Sequence, residues 1–170
     1  MMIVLAIDPG NEYSAWVLID SDTYRPLKFD KANNLIVLHD IAYELDYDAV
    51  VIEKIASYGM PVGGTVFDTC IWIGRFMQTI EDYKRKMSHA CRRYEVKMNI
   101  CHDARAKDSN IIQALCDRFA PGQMNRGKGT KKEPGWFYGF RADVWQAYAL
   151  GVTYIDRHIK MLRSKEHTTT

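Results

Sequence analysis

Five segments of the chain predict β-strands. Residues 3–7 and 49–52 form short, uninterrupted apolar runs, which are typical of strands buried on both faces of a sheet. The turn residues Pro9-Gly10-Asn11 follow the first run and predict that the next strand, residues 14–19, returns antiparallel to it. The other two candidate strands are residues 26–29 and residues 96–100.

Apolar residues at helical spacing predict four helices. The first covers residues 34–45, and the second is a long helix after the glycine-rich loop 58–65. Asp108 or Ser109 is expected to cap the third helix, and the last helix is expected over about residues 140–161. The stripe predicted for the long helix consists of Val66, Cys70, Ile73, Met77 and Ile80. The faces predicted for the third and last helices consist of Ile112, Leu115 and Phe119, and of Val144, Tyr148, Val152, Ile155 and Ile159.

The order of these elements predicts an α/β fold with one mixed five-stranded sheet flanked by helices on both faces. The chain has 170 residues, a length that favours one domain with a substantial core. We therefore expect a single domain over residues 1–163, followed by a polar, frayed tail at residues 164–170.

The composition is that of an ordinary globular protein, with 47% hydrophobic and 26% charged residues. The net charge of +2 is unevenly distributed. Residues 1–60 carry four Lys and Arg against ten Asp and Glu, whereas the remaining residues carry 19 against 11. An acidic region beside a basic one suits a metal site that faces a polyanion, and a solvated surface with chance asymmetry is the alternative.

Several features indicate a reduced protein without a membrane segment. No run of 18 apolar residues is present, and the N-terminus lacks a basic region followed by an apolar segment. The four cysteines show no C-x-x-C spacing, which argues against a zinc ribbon or a redox motif. We expect a cytoplasmic protein whose cysteines are mostly small core residues.

An acidic residue directly follows each of the two most apolar runs. Asp8 ends the run 3–7, and Glu53 ends the run 49–52. Ligands bind at the carboxyl ends of strands in α/β folds, and two such ends on neighbouring strands would lie about 5 Å apart. That separation suits two acids that share a divalent metal ion. The alternatives are that Asp8 only begins a turn and that Glu53 pairs with Lys54 or an arginine.

Asp143 is a third candidate acid, at the start of the last helix. Helical spacing places it in line with Ala147, Leu150 and Tyr154, one row beside the main apolar stripe. A small residue such as Ala147 lets the helix approach the sheet closely, so that an acid on this row can face the two strand-end acids. The alternative is an acid favoured at this place by the helix dipole.

Together these motifs resemble the RuvC group of Holliday junction resolvases, within the RNase H-like superfamily. The resemblance is carried by Ile7-Asp8-Pro9-Gly10, by Val51-Ile52-Glu53 and by the acid-bearing last helix. Residues 102–111 and 134–140 more specifically resemble RuvC-like resolvases encoded by bacteriophages. The resemblance covers about residues 2–160.

The resemblance implies a homodimeric, magnesium-dependent endonuclease that resolves Holliday junctions and other branched DNA by paired symmetric nicks. It implies no nucleotide cofactor. Asp8 would bridge two Mg²⁺ ions, Glu53 would hold one and Asp143 the other, and Mn²⁺ should substitute. The long helix from Val66 would form the two-fold interface. A phage origin would place the protein in the cytoplasm of a bacterial host.

The chain departs from RuvC proteins at one position of the last helix. Those proteins carry two acidic positions three residues apart, and here only one is acidic. If Asp143 matches the first position, Gln146 occupies the second and can offer its amide oxygen as a metal ligand. If Asp143 matches the second position, Phe140 occupies the first. Asp108 or Asp103 can supply a further carboxylate, so the fourth ligand stays open.

Basic and aromatic residues are candidate DNA contacts. Tyr58 resembles in position the aromatic that RuvC proteins insert near the junction's crossover, and packing on the following helix is the alternative. Lys107 resembles a lysine that RuvC-like proteins place near the metal ions, where it would hold the scissile phosphate; the alternative is an exposed surface lysine. The other candidate contacts to the DNA backbone are Arg105, Lys84, Arg85, Arg92, Arg93, Lys128, Lys131 and Lys132.

Two other functions are compatible with parts of the sequence. A junction-binding protein with weak or no catalysis would agree with the missing fourth carboxylate. A sugar-kinase or actin-like ATPase would share the fold, but those chains contain two such domains and are far longer than 170 residues.

Overall fold

One five-stranded sheet forms the centre of the computed structural model, which describes residues 1–56, 59 and 61–160. The strands are β1 (Ile3–Asp8), β2 (Tyr13–Asp20), β3 (Pro26–Asn33), β4 (Ala49–Lys54) and β5 (His89–Arg92). Their order across the sheet is β3-β2-β1-β4-β5. The first three strands are antiparallel to one another, whereas β4 is parallel to β1 and β5 is parallel to β4. The predicted mixed five-stranded sheet is therefore confirmed.

Five α-helices pack on the sheet. They are α1 (Asn34–His39), α2 (Gly64–Lys84), α3 (Arg93–Cys101), α4 (Asp108–Phe119) and α5 (Val144–Tyr154). A π-helical turn, Asp40–Glu44, continues α1, and a second one, Ile155–Lys160, continues α5. Within the described part of the chain, no helix is both long and apolar enough to cross a membrane.

Side-chain alternation along the strands divides the core into two layers. Even-numbered residues of β1, such as Val4 and Ala6, pack with Val51 of β4 against α3, α4 and α5. Odd-numbered residues, such as Leu5 and Ile7, pack against α1 and α2. Both faces of β1 and β4 are buried, which explains why these strands are continuous apolar runs rather than alternating ones.

Helix α5 lies against the centre of the sheet, and all of its residues from Val144 to Thr153 are buried. At Gly151 the helix comes so close to β1 and β2 that a Cβ atom would lie 2.3 Å from Cδ1 of Ile19 and 3.0 Å from Cβ of Ala6. The five residues predicted as the apolar stripe of the last helix are all buried. Small residues thus let α5 pack directly on the strands that carry the candidate acids at their ends.

The prediction of a strand over residues 96–100 is wrong. This segment belongs to α3, and the fifth strand is instead the four-residue β5, in which only Cys91 is buried. Alternating apolar residues suggested a strand, but the chain enters a helix because the Glu95 carboxylate accepts the backbone N–H of Arg92 at 2.9 Å and caps the first turn.

The stripe predicted for the long helix is also partly wrong. The residues of α2 that pack into the core are Thr69, Phe76 and Ile80, whereas Cys70 is exposed and Met77 is 38% exposed. The packed stripe is therefore rotated about the helix axis relative to the predicted one, because the helix can bury the large ring of Phe76 only in this orientation. An apolar face of α2 remains at the surface.

Two helices begin at other residues than predicted. α5 begins at Val144 rather than near residue 140, because Gly139 and Ala142 have φ angles of 83° and 40°, which a right-handed helix does not allow. The N-cap of α4 is Lys107 rather than Asp108 or Ser109, and its N–H donates to Oδ1 of Asn110 at 2.9 Å.

Replacing Gly151 with Leu should destabilise the protein strongly. Overpacking of a buried contact costs about 1–3 kcal/mol, and the new side chain would meet Ile19 and Ala6. Gln113→Leu, on the exposed face of α4, is the control and should change the free energy of unfolding by less than about 0.5 kcal/mol. Urea unfolding measures both, and equal effects would contradict the tight packing of α5 on the sheet.

Candidate active site

Asp8 and Glu53 lie side by side at one edge of the sheet. The parallel register pairs Ile7 with Ile52, so the next residue of each strand is adjacent to the other. Neighbouring strands are about 4.8 Å apart. Side chains alternate between the two faces of a strand. Asp8 and Glu53 lie two residues after Ala6 and Val51, which pack beneath α5, so the two carboxylates also point toward that helix.

A buried hydrogen-bond network builds the turn that follows β1. The Ser14 hydroxyl accepts the Gly10 N–H at 3.1 Å and donates to Oδ1 of Asn34 at 2.6 Å, while Nδ2 of Asn34 donates to the Gly10 carbonyl at 2.9 Å. A Cβ atom at Gly10 would lie only 2.3 Å from the carbonyl oxygen of Tyr13. These contacts hold the backbone immediately after Asp8 and so direct its carboxylate.

The carboxylates at this edge repel one another. Burial raises the pKa of Asp8 well above its usual range, the charges of Glu53 and Asp143 raise it further, and Arg93 opposes the shift. Burial also raises the pKa of Glu53, again against the Arg93 guanidinium. Because Asp143 acts on Asp8 through its charge, the helix acid and the strand acids approach the same region. A cation among them would relieve the repulsion.

Arg93, the first residue of α3, reaches into this acidic edge. Its Nη1 lies 3.4 Å from Oε2 of Glu53, and its Nη2 lies 2.5 Å from both Oδ1 of Asp108 and Oε1 of Gln146. The sequence predicts Arg93 as a DNA contact, whereas the structure places it among the candidate metal ligands. It also brings Asp108, at the start of α4, to the site.

Asp143 occupies the N-cap position of α5 and is only half buried. Its Oδ2 lies 2.5 Å from Nζ of Lys31 on β3, and its side chain is 47% exposed. Its backbone carbonyl accepts the N–H groups of Gln146 and Ala147, both at 3.0 Å, and so begins the helix. Lys31 therefore neutralises this acid in the structure.

No three His, Cys, Asp or Glu side chains within the described residues are grouped so that they could hold a metal ion. Glu53 instead contacts Arg93, and Asp143 contacts Lys31. The donor chemistry nevertheless fits magnesium or manganese, because each available donor is an oxygen atom. The donors are Asp8, Glu53, Asp143 and Gln146.

Three candidate DNA contacts lie on segments that lead to the acidic edge. Arg92 ends β5, which is parallel to β4, and its guanidinium Nε lies 3.4 Å from Glu95. Lys107 is exposed and directly precedes Asp108, which contacts Arg93. Arg105 lies in the exposed turn just before α4.

The other candidate contacts lie elsewhere. Lys84, at the end of α2, is 4.0 Å from Asp46 and 5.7 Å from the ring centroid of Tyr47, which both precede β4, so it lies at the opposite end of the sheet. Arg85 follows it. Between α4 and α5, a loop bridged by Gly129 and Pro134 carries Lys128, Lys131 and Lys132. Tyr58 lies outside the described residues.

Three residues that contribute to this region, Lys31, Ser14 and Asn34, are not among the residues predicted from the sequence. Lys31 lies on β3, beyond the predicted end of that strand at residue 29. Ser14 and Asn34 are 1% and 0% exposed. A signal was available for Ser14, since it closely follows the glycine turn 9–11, whose backbone groups need partners. Asn34 lies 24 residues after Gly10, and nothing local in the sequence marks it.

No protein-family model matches this chain, and no curated protein matches it. Solved structures do match. RuvC of Thermus thermophilus in complex with a Holliday junction substrate has a TM-score of 0.66 and 15% sequence identity, over 95% of this chain and 96% of that chain. A second structure of Thermus thermophilus RuvC has a TM-score of 0.66 and 14% identity, over 94% of this chain and 96% of that chain. The chain therefore has the RuvC fold.

Replacing Asn34 with Ala should loosen the turn after Asp8. The change leaves the Gly10 carbonyl and the Ser14 hydroxyl without this partner, which should lower the free energy of unfolding by about 1–3 kcal/mol. Loss of a residue that orients a metal ligand lowers metal affinity by roughly 10–100-fold. Urea unfolding measures the first effect, and calorimetric titration with Mn²⁺ measures the second.

Asn33→Ala is the control for this experiment. The Asn33 side chain accepts the Leu35 N–H at 3.0 Å and caps α1, so its loss should cost about 1 kcal/mol of stability. The affinity for Mn²⁺ should not change in this variant. Wild-type Mn²⁺ affinity in Asn34→Ala would show that the network does not direct Asp8.

Proposed function

We propose that this protein is a metal-dependent endonuclease that resolves Holliday junctions and related branched DNA by paired nicks. The observation that supports this most directly is the pair of partly buried carboxylates, Asp8 and Glu53, at adjacent ends of parallel strands on a RuvC fold. The RuvC structure with the same fold is a complex with a Holliday junction substrate. Acids beside basic residues are also what a metal-assisted phosphodiesterase requires.

Asp8 would be the central metal ligand, with Glu53 and Asp143 on either side and the amide oxygen of Gln146 nearby. Bound Mg²⁺ would activate the attacking water and stabilise charge on the leaving oxygen. The burial of Asp8 and Glu53 favours binding, because a dication is attracted more strongly where few water molecules screen the charges. Mn²⁺ would substitute, since it prefers the same oxygen donors.

The basic residues would counter the repulsion between these carboxylates and a DNA backbone. Lys107 would contact the scissile phosphate from the start of α4, and Arg105 and Arg92 would contact neighbouring phosphates from adjoining segments. The lysines between α4 and α5, together with Lys84 and Arg85, would contact phosphates farther from the cut. Each phosphate neutralised in this way steepens the dependence of binding on salt.

The exposed face of α2 would bind a second copy of the chain. Phe67 and Ile71 lie four residues apart on this face and are 60% and 61% exposed. Large apolar residues clustered on one exposed surface indicate contact with another protein. In a two-fold dimer this face would meet itself, and the two sites would reach opposite strands of a junction.

Asp8→Asn should abolish cleavage without loosening the fold. Loss of a residue that hydrogen-bonds to a metal ligand lowers metal affinity or activity by roughly 10–100-fold. Loss of the central ligand itself should therefore lower the cleavage rate by at least about 100-fold. The melting temperature in metal-free buffer should stay level or rise, because the variant no longer buries a charge beside other acids. Nicking of a four-way junction is measured with Mg²⁺ or Mn²⁺, and junction binding is measured by gel shift. The variant should still bind the junction.

Asp117→Asn, on the exposed face of α4, is the matched control and should cleave at the wild-type rate. Wild-type cleavage by Asp8→Asn would remove the nuclease proposal. Junction binding without nicks by the unaltered protein, with either metal, would favour a junction-binding protein without catalysis. Random nicking of linear duplex would instead indicate a general nuclease.

Phe67→Glu should convert the dimer into monomers. A charge in the centre of an apolar interface is desolvated without a partner, which strongly disfavours association. Sedimentation velocity measures the oligomeric state, and the monomer should give single rather than paired nicks. Leu27→Glu, at a 48% exposed position of β3, is the control and should stay dimeric. A dimer unaffected by Phe67→Glu would mean that the copies do not associate through α2.

A further inference from the structure

Arg93 is held more firmly at the acidic edge than Lys31 is. It contacts acceptors on three separate elements, namely Glu53 on β4, Asp108 on α4 and Gln146 on α5. Its side chain is 23% exposed. Lys31 is 32% exposed and is held by an acid that is itself half exposed. Arg93 is therefore a built part of the site, whereas Lys31 can exchange with water or an ion.

The backbone holds Arg93 at this edge. The parallel register pairs Lys54 of β4 with Arg92 of β5, so Arg93 follows directly where the paired strands end. The Glu95 carboxylate accepts the Arg92 N–H at 2.9 Å and sets the start of α3. The guanidinium thus enters the acidic edge from a position that the sheet determines, and not from a free surface loop.

The neutral side chain of Gln146 accepts a hydrogen bond from this cation. In the register that begins at Asp143, the resemblance to RuvC implies a carboxylate at this position, and this chain has a neutral amide. The amide is 8% exposed, and its Oε1 accepts a hydrogen bond from Nη2 of Arg93 at 2.5 Å. One negative charge is therefore absent from the site, and one positive charge is present.

The net negative charge of the side chains at this edge matches the charge of one divalent ion rather than two. The site contains the acids Asp8, Glu53 and Asp143, of which Asp143 is 47% exposed, and the cation Arg93. Asp108, Lys31 and Lys97 are at least partly exposed, so that water screens their charges. Two negative charges remain, as many as one Mg²⁺ or Mn²⁺ neutralises. Two such ions would leave uncompensated positive charge at a partly buried site, which is unfavourable.

We propose that the Arg93 guanidinium takes the place of one of the two divalent ions that the resemblance implies, so that each site binds a single ion with Asp8 as its central ligand. This inference rests on the metal-dependent function proposed above. Arg93 acts as a positioning residue that holds Glu53 and Gln146. The ion binds on the side of Asp8 nearer to Asp143 and displaces Lys31 from that acid.

Counting bound Mn²⁺ by electron paramagnetic resonance tests this inference, because free and bound ions give different signals. Ions bound by the full-length wild type but not by Asp8→Asn are counted as site ions. The wild type should bind one site ion per protomer, and so should Arg93→Lys, which keeps the charge. Arg93→Gln combined with Gln146→Asp removes the internal cation and restores the fourth acid, and this double variant should bind two.

Two site ions in the wild type, or one site ion in a folded double variant, would overturn the role of Arg93 and leave the metal-dependent function intact. Equal Mn²⁺ binding by the wild type and by Asp8→Asn would overturn that function itself. Circular dichroism melting establishes that each variant is folded. If the double variant does not fold, the wild-type count alone decides the question.

Discussion

The parallel pairing of β1 with β4 is the constraint on which the rest of the site depends. It brings the carboxylates of Asp8 and Glu53 to adjacent positions in the buried layer beneath α5. Burial raises the pKa of both carboxyls, the charge of Glu53 raises the pKa of Asp8 further, and cations such as Arg93 offset only part of this cost. The fold therefore maintains an edge that is electrostatically incomplete, a condition that is common at catalytic sites and that a bound divalent ion would relieve.

Helix α5 determines which groups complete this edge. Gly151 and the buried Ala147 let the helix lie directly on β1 and β2, and this approach brings its first turn next to the strand-end acids. Asp143 stands at the N-cap, where its carboxylate reaches solvent and Lys31, whereas Gln146 is nearly one turn further along and buried against Arg93. The packing of α5 thus leaves the Asp143 carboxylate open to solvent and buries the Gln146 amide.

The strand-end acids were predictable because their signal is local. An apolar run long enough to be buried on both faces, followed at once by an acid, specifies both the strand and its end, as at residues 3–7 with Asp8 and 49–52 with Glu53. The mixed sheet and the apolar stripe of α5 followed from patterns of the same kind. Arg93 and Lys31 were not predictable in this way, because their positions depend on the pairing of β5 with β4 and of β3 with β2. β5 has four residues of which only Cys91 is buried, so hydropathy alone does not mark it as a strand.

The fold therefore determines the positions of the strand-end acids but not the identity of the side chains beside them. The fold places Asp8 and Glu53 together through backbone pairing, and RuvC structures only 14% and 15% identical in sequence match it over nearly the whole chain. Under the single-ion proposal, the number of ions that this edge would bind is determined by charge, and it depends on two side chains, Arg93 and Gln146, that backbone pairing does not dictate. A change of one acid to an amide, with a guanidinium beside it, preserves the packing and alters the ionic balance. Under that proposal, this chain would keep both strand-end acids and still bind fewer metal ions than the resemblance implies.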